Sequence, residues 1–243
     1  MSNPLTDDQL KHLLNFVGYG RKDADVWFLG MEEGCVVDKE LREKHLFIRL
    51  KFDEFEDCKE AHKELDITKY HYGTKTCQRT WWRMCRIMLG IEDSEIDIEA
   101  LRNYQAEKLG QSDGNTLLCE LMPIPNRGIN EWEYKELLPQ YKNRKDYYEK
   151  VKPCRIEKLR KLFKEYPPKI VVAYGSTFWK DYEELFKEFR FEKREPFKVA
   201  QSENTVILLT PHFVSIQMNG QIEKLVSLIK EKKIIFHLLR NKC

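Results

Sequence analysis

The chain has 243 residues, 42% hydrophobic and 12% aromatic, a composition that excludes global disorder and allows a sizeable core. Charged residues reach 34%, yet Lys+Arg 42 against Asp+Glu 40 leaves a net charge of only +2, so total charge selects no partner. No apolar run is long enough to span a membrane, residues 1–4 begin no signal-peptide core, and the seven cysteines form no Cys-x-x-Cys pair. These features predict a cytoplasmic protein with reduced thiols, no membrane partner, and no structural zinc or iron–sulfur site.

Residues 6–17 combine an acidic start at Thr6-Asp7-Asp8 with Leu10, Leu13, Leu14 and Val17, which predicts a capped helix stopped at Gly18-Tyr19-Gly20. Val26-Trp27-Phe28-Leu29 then reads as a buried strand, with Gly30 and Gly34 framing a loop that holds Glu32 and Glu33. Residues 38–66 are densely charged and lack strand signals, which predicts a helical insertion, either a cap beside a site or a solvated decoration. From 67 to 90 the chain carries no acid. Trp81, Met84, Cys85 and Met88 fall at helical spacing, with Arg79, Arg83 and Arg86 on another face near Tyr70, His71 and Tyr72. Such a basic stripe beside aromatics suits a nucleic-acid backbone and a stacked base, although it also suits an ordinary solvated helix face.

An acidic helix over 92–108 precedes a second strand at Asn115–Met122, closed by Pro123 to Gly128. A basic helix over 145–165 is expected to break at Pro153. Ile170–Ala173 gives a third strand, turning at Tyr174 to Thr177 into a helix that runs to about Phe189. Thr205–Thr210 gives a fourth, followed by Pro211-His212, and Ile222, Leu225, Val226 and Ile229 mark a closing helix. Apolar strands alternating with helices predict an α/β fold. It is one domain over 1–243, with a central four-stranded, mostly parallel sheet and helices on both faces.

Each strand ends in a polar cluster: Glu32-Glu33, Glu120 to Arg127, Ser176-Thr177, and His212. In a parallel sheet these clusters emerge along one edge, where a carboxylate facing a histidine suits hydrolysis.

In order and spacing these motifs resemble the uracil-DNA glycosylase superfamily, over about 25–215. The run from Gly20 to Gly34 is similar to that family's first strand and water-activating loop, and Pro123 to Arg127 stands where the family has a Pro/Asn/Arg stretch after its second strand. Val171 to Thr177 resembles its third strand and small-residue turn, and Thr210-Pro211-His212 its histidine motif. The Gly-Met-x-x-Gly form is closest to the mismatch-specific and single-strand-selective branches.

The resemblance implies a monomeric, cofactor-free, monofunctional DNA glycosylase that flips a base from the stack and hydrolyses its N-glycosidic bond. Glu32 would position the attacking water, with Glu33 sharing or replacing that role, and His212 would stabilise the departing base. Met31, Gly34, Tyr72 and Glu120 would contact the base. Arg79, Asn126, Arg127, Ser176, Thr177 and Phe213 would contact DNA, with an intercalating wedge between Phe213 and Met218. Ser176 and Thr177 fit helix N-capping equally well.

Where the family has Pro this chain has Glu33, and where strict uracil enzymes have Tyr it has Gly34. Glu120 stands where the family places a base-reading Asn. A carboxylate there suits the amine of a cytosine-like base, so a 5-substituted cytosine is an expected substrate beside uracil-like bases, in repair or in defence against modified foreign DNA. Glu120 paired with Arg127 is the structural alternative. A non-catalytic DNA- or base-binding protein of the same fold and a small-molecule nucleoside hydrolase are the competing functions.

Overall fold

The four long apolar runs lie together at the centre of one sheet. A computed structural model describes residues 3–128 and 130–240, with 233–240 as backbone only. Strands β2 (Val26–Glu32), β4 (Thr116–Met122), β5 (Ile170–Tyr174) and β8 (Val206–Thr210) are parallel and adjacent in the order β4-β2-β5-β8. Both faces of this centre are covered, so nearly every residue of these strands is buried rather than every second one.

The complete sheet has eight strands, which corrects the expectation of four. β1 (Gly18–Gly20) pairs antiparallel with β4, and β3 (Phe55–Glu56) pairs with β1 on that edge. At the other edge β7 (Phe197–Gln201) and β6 (Glu192–Arg194) add antiparallel strands outside β8. β1, β3 and β6 are only two or three residues long, and pairing with a preformed neighbour rather than hydrophobic periodicity makes them strands, whereas β7 is as long as β5 and β8 and lies outside the four expected. In β1 the two glycines look like a helix stop. Yet a Cβ on Gly18 would collide with the Leu118 backbone, so glycine is what lets β1 reach β4.

The first helix, α1 (Asp7–Asn15), starts at a capping box between Thr6 and Gln9. The charged insertion forms α2 (Lys39–Ile48), a 3-10 turn at Arg49–Lys51, strand β3, and α3 (Cys58–Glu64). The apolar-faced helix is α4 (Arg79–Ile91), and α5 (Ile98–Glu107) follows it. Helix α6 (Arg144–Glu165) runs unbroken through Pro153, contrary to expectation. Tyr147, Val151, Ile156 and Leu159 bury one side of it, and Arg155 donates to the carbonyls of Leu14, Glu120 and Leu121, which offsets the hydrogen bond that proline forfeits. A 3-10 turn at Ser176–Phe178 leads into α7 (Trp179–Leu185), shorter than predicted, and α8 (Ile222–Arg240) closes the chain.

Two hydrophobic cores flank the sheet, one around Trp27, Leu29, Leu121 and Tyr147 and the other around Phe28, Met84, Leu118 and Leu225. No helix among the described residues is long and apolar enough to cross a membrane. From β2 the chain passes to β4 on one side and then to β5 on the other. That reversal of direction opens a crevice beyond the strands' carboxyl ends.

Candidate active site

The register of β2 against β4 sets Gly30 opposite Glu120. With no side chain at Gly30, the Glu120 carboxyl occupies the space beside it, where its Oε1 accepts a hydrogen bond from the Tyr174 hydroxyl at 3.1 Å. A Cβ on Gly30 would strike both groups. The other oxygen, Oε2, is buried and has no hydrogen-bond partner. Burial raises the Glu120 carboxyl well above the ordinary glutamate range, and the neighbouring charges of Glu33 and Glu32 push it further the same way. The shift favours the protonated form of Glu120, which can donate as well as accept.

Glu33 follows β2 directly and is held at both oxygens. Arg49 Nη2 donates to Oε1 at 2.7 Å, and the Tyr19 hydroxyl donates to Oε2 at 3.0 Å. Burial raises the Tyr19 pKa well above its usual value, so its hydroxyl stays protonated and serves as a donor. Burial of Arg49 works against its charge, but Glu33 and Tyr19 outweigh that and keep it cationic. The Glu33 carbonyl accepts from the backbone N–H of Asn126 at 2.9 Å, which ties the β2 loop to the β4 loop.

A cavity of about 520 Å³ opens over these groups, with Glu33 and Glu120 at the strand ends and Tyr70, Trp81 and Tyr174 among its walls. Trp81 and Tyr70 lie 5.6 Å apart between ring centroids, and Trp81 stacks on His62 at 5.1 Å. The insertion supplies the facing wall through α2, Arg49 and α3, so it is a cap beside the site rather than a solvated decoration. Gly34 is exposed at the rim of the cavity, and nothing lies within 4 Å of the position a Cβ would take.

Several residues expected at the site lie elsewhere. Glu32 does not line the cavity. It sits 3.0 Å from Arg144 in a pair whose side chains are 7% and 9% exposed. Burial raises its pKa, and Arg144 opposes the shift without reversing it. The carboxylate offered to the cavity is thus Glu33. Met31 is buried in the core around Trp27, because the alternation of β2 points it to the face away from the cavity. Tyr72 is exposed with the Lys59 ammonium over its ring, while Tyr70, two residues earlier, reaches the cavity.

Asn126 is buried with its amide donating to the carbonyls of Gly128 and Glu131, so it braces a loop instead of meeting solvent. Arg127 pairs with Glu131 and Glu133, not with Glu120. Phe213 is 0% exposed and stacks on Tyr174 at 4.9 Å, which removes it from any DNA contact. Its exposed neighbours are Val214 at 53% and Ile216 at 83%. Arg79, Ser176 and Thr177 remain exposed at the starts of α4 and the 3-10 turn. There the turn has no side-chain cap, so capping does not account for Ser176 and Thr177.

His212 follows β8 and stands outside the cavity lining, packed edge-on against Tyr174 with ring centroids 5.5 Å apart. Its partial burial lowers its pKa. Nδ1 accepts the Val214 backbone N–H at 3.3 Å, which leaves the proton of the neutral ring on Nε2.

The residues that sequence reasoning missed are Tyr19, Arg49 and Tyr174. Tyr19 looked like part of a helix stop and Arg49 like one of many insertion charges. For Tyr174, the signal available was its place at the last position of an apolar strand, one step before the turn.

The protein is thus an α/β fold with a four-strand parallel centre, carrying a carboxyl-floored cavity at the reversal of strand order. No protein-family model matches the sequence, and no curated protein matches it.

Proposed function

We propose that the chain is a monofunctional DNA glycosylase that draws a flipped pyrimidine into this cavity and hydrolyses its N-glycosidic bond. One observation carries the reading. Glu33, fixed by Arg49 and Tyr19, faces the same cavity as Glu120, whose protonated form is favoured. Each Glu33 oxygen keeps a further lone pair, so the carboxylate can orient a water and stabilise the cationic sugar of an oxocarbenium-like state. Glu33 takes the role first expected of Glu32.

Glu120 has a different task. A neutral carboxylic acid presents a donor and an acceptor side by side, as an amide does, and so matches the paired donor and acceptor on the edge of uracil or of cytosine. Discrimination then falls to size. A cavity of about 520 Å³ exceeds the needs of a bare pyrimidine and favours a base carrying a bulky 5-substituent. Tyr70 and Trp81 offer aromatic faces for stacking. His212, outside the cavity lining and packed against Tyr174, takes no part in holding the base in this reading.

Hydrolysis of free modified nucleosides would use the same cavity. Exposed apolar Val214 and Ile216 on the loop after His212, together with exposed Arg79, Ser176 and Thr177, favour a polymeric substrate, where a wedge fills the gap left by the flipped nucleotide and the polar groups meet phosphates. The test is base release, measured by mass spectrometry, from DNA containing uracil, hypoxanthine and 5-substituted cytosines, with the same nucleosides supplied free. Release from DNA that disappears in Glu33→Gln is expected. Release from free nucleosides alone, or DNA binding without release of any base, would overturn the proposal.

A further inference from the structure

Behind the aromatic wall lies a second cluster that the reaction above does not use. Cys58 opens α3, and His62 follows one helical turn later, so both project from the same face. His71 comes just after the 3-10 turn at Thr68–Tyr70, which folds back against that face. All three side chains are buried, and one ligand atom from each lies within 4.8 Å of the others. His62 Nδ1 and His71 Nε2 are 3.1 Å apart.

The histidine–histidine separation is close to that of a tetrahedral metal site, and the Cys58 sulfur lies within 4.8 Å of both rings' ligand atoms. With metal–nitrogen bonds of about 2.0 Å and metal–sulfur bonds of about 2.3 Å, tetrahedral edges run to roughly 3.3–3.6 Å. A single hydrogen bond between two imidazoles would also give 3.1 Å, but it leaves the remaining chemistry unexplained. His71 Nδ1 is sealed from solvent and makes no hydrogen bond of good geometry, although the Ala106 carbonyl beside it favours a proton there. A backbone carbonyl behind the far nitrogen is the usual second partner of a metal-bound histidine.

The local electrostatics agree. Burial, with His71 and Arg49 nearby, lowers the His62 pKa to about 3, and burial lowers that of His71. Both rings are therefore neutral, the form that binds metals. Burial raises the Cys58 thiol, helped by Glu33 and Asp57 and opposed by Arg49, and a divalent cation would reverse that by holding the thiolate. Arg49 acts on Cys58 and His62, and Lys59 acts on His71, where Glu107 opposes it. Glu33 and Asp57 counter Arg49 at Cys58.

We propose that Cys58, His62 and His71 bind one divalent transition-metal ion, with zinc best suited to a donor set of one sulfur and two imidazoles. The ion cross-links α3 to the segment after the 3-10 turn. It thereby holds His62, on which Trp81 stacks, and so fixes the aromatic wall of the cavity. Three protein ligands leave a fourth position for a small ligand. Nothing in this proposal depends on the glycosylase reading.

The test measures metal content and cobalt spectra rather than base release, so the two proposals fail separately. The full chain, purified from zinc-supplemented cells, is expected to carry one equivalent of zinc, and Cys58→Ser and His71→Ala to carry none. After metal stripping, cobalt(II) alone is expected to produce thiolate charge-transfer absorption and intense tetrahedral d–d bands, with the charge-transfer absorption lost in Cys58→Ser. His71→Cys keeps a ligand and adds a thiolate, so it should retain the metal with stronger charge-transfer absorption. A folded wild-type chain that binds no zinc and gives no cobalt–thiolate band would overturn the proposal, as would full metal retention in Cys58→Ser or His71→Ala. If those two variants fail to fold, an unchanged cobalt spectrum in His71→Cys overturns it equally.

Discussion

The Glu120 carboxyl and the Tyr174 hydroxyl meet at 3.1 Å in the space left by the missing side chain of Gly30. Three strands contribute to this contact: Glu120 from β4, Gly30 from β2 and Tyr174 from β5. The contact keeps a buried acid aimed into the cavity and gives one of its oxygens a donor.

Gly30→Ala tests that relationship directly. The added methyl must displace Glu120 and Tyr174, an overpacking expected to cost about 1–3 kcal/mol. Chemical denaturation should register the loss, and base release should become less selective among 5-substituted substrates. A variant with wild-type stability and selectivity would mean that the space beside Gly30 is not needed.

Glu120 also predicts a pH dependence of stability. Its folded-state pKa is raised, so the folded protein keeps a proton that the unfolded chain releases above about pH 4.3. The stability it contributes is complete below that pH and declines as pH rises towards the folded pKa. Glu120→Gln removes the titration. The variant should gain relative to wild type between about pH 4.3 and neutrality, with the difference shrinking on acidification. Urea unfolding at a series of pH values reads this, and parallel curves would contradict the assignment of Glu120 as a neutral acid.

The two neighbouring glutamates should separate cleanly. Glu33→Gln is expected to lower single-turnover base release by ~100-fold or more while leaving DNA affinity within a few-fold. Glu32→Gln leaves buried Arg144 without its partner, and should cost about 3 kcal/mol of stability with turnover per folded molecule largely kept. The reverse pattern would return the catalytic role to Glu32.

Ile216 is 83% exposed, so Ile216→Ala should not alter the thermal unfolding midpoint. If this loop supplies the wedge, the substitution should reduce base release from duplex DNA about tenfold and spare single strands, since only the duplex leaves a gap to fill after unstacking. Equal effects on both substrates would place the wedge elsewhere.

Much of this architecture was legible from residue pattern. Val26–Leu29, Ile170–Ala173 and Val206–Leu209 are continuous apolar runs, and such runs with helices between them imply a parallel sheet with ligand chemistry at its carboxyl edge. The Glu32-Glu33 loop, Glu120 and the helical cap over 38–66 could be placed near that edge for the same reason. The two- and three-residue strands β1, β3 and β6 could not, because neighbouring strands rather than their own periodicity hold them in place.

The sequence by itself determined which residues could reach the carboxyl edge, since strand order along the chain and the period of side-chain direction are local properties. Only the tertiary structure decided what each of them does there. Glu32 and Glu33 are adjacent in sequence, yet Arg144 arrives from α6 to neutralise the first, while Arg49 and Tyr19 arrive from the insertion and β1 to present the second. Cys58 and His62 share a face of α3 at i, i+4, but His71 joins them only because a 3-10 turn folds back on that helix. Partners distant in sequence set charge, burial and orientation at short range in space, and no local pattern carries that information.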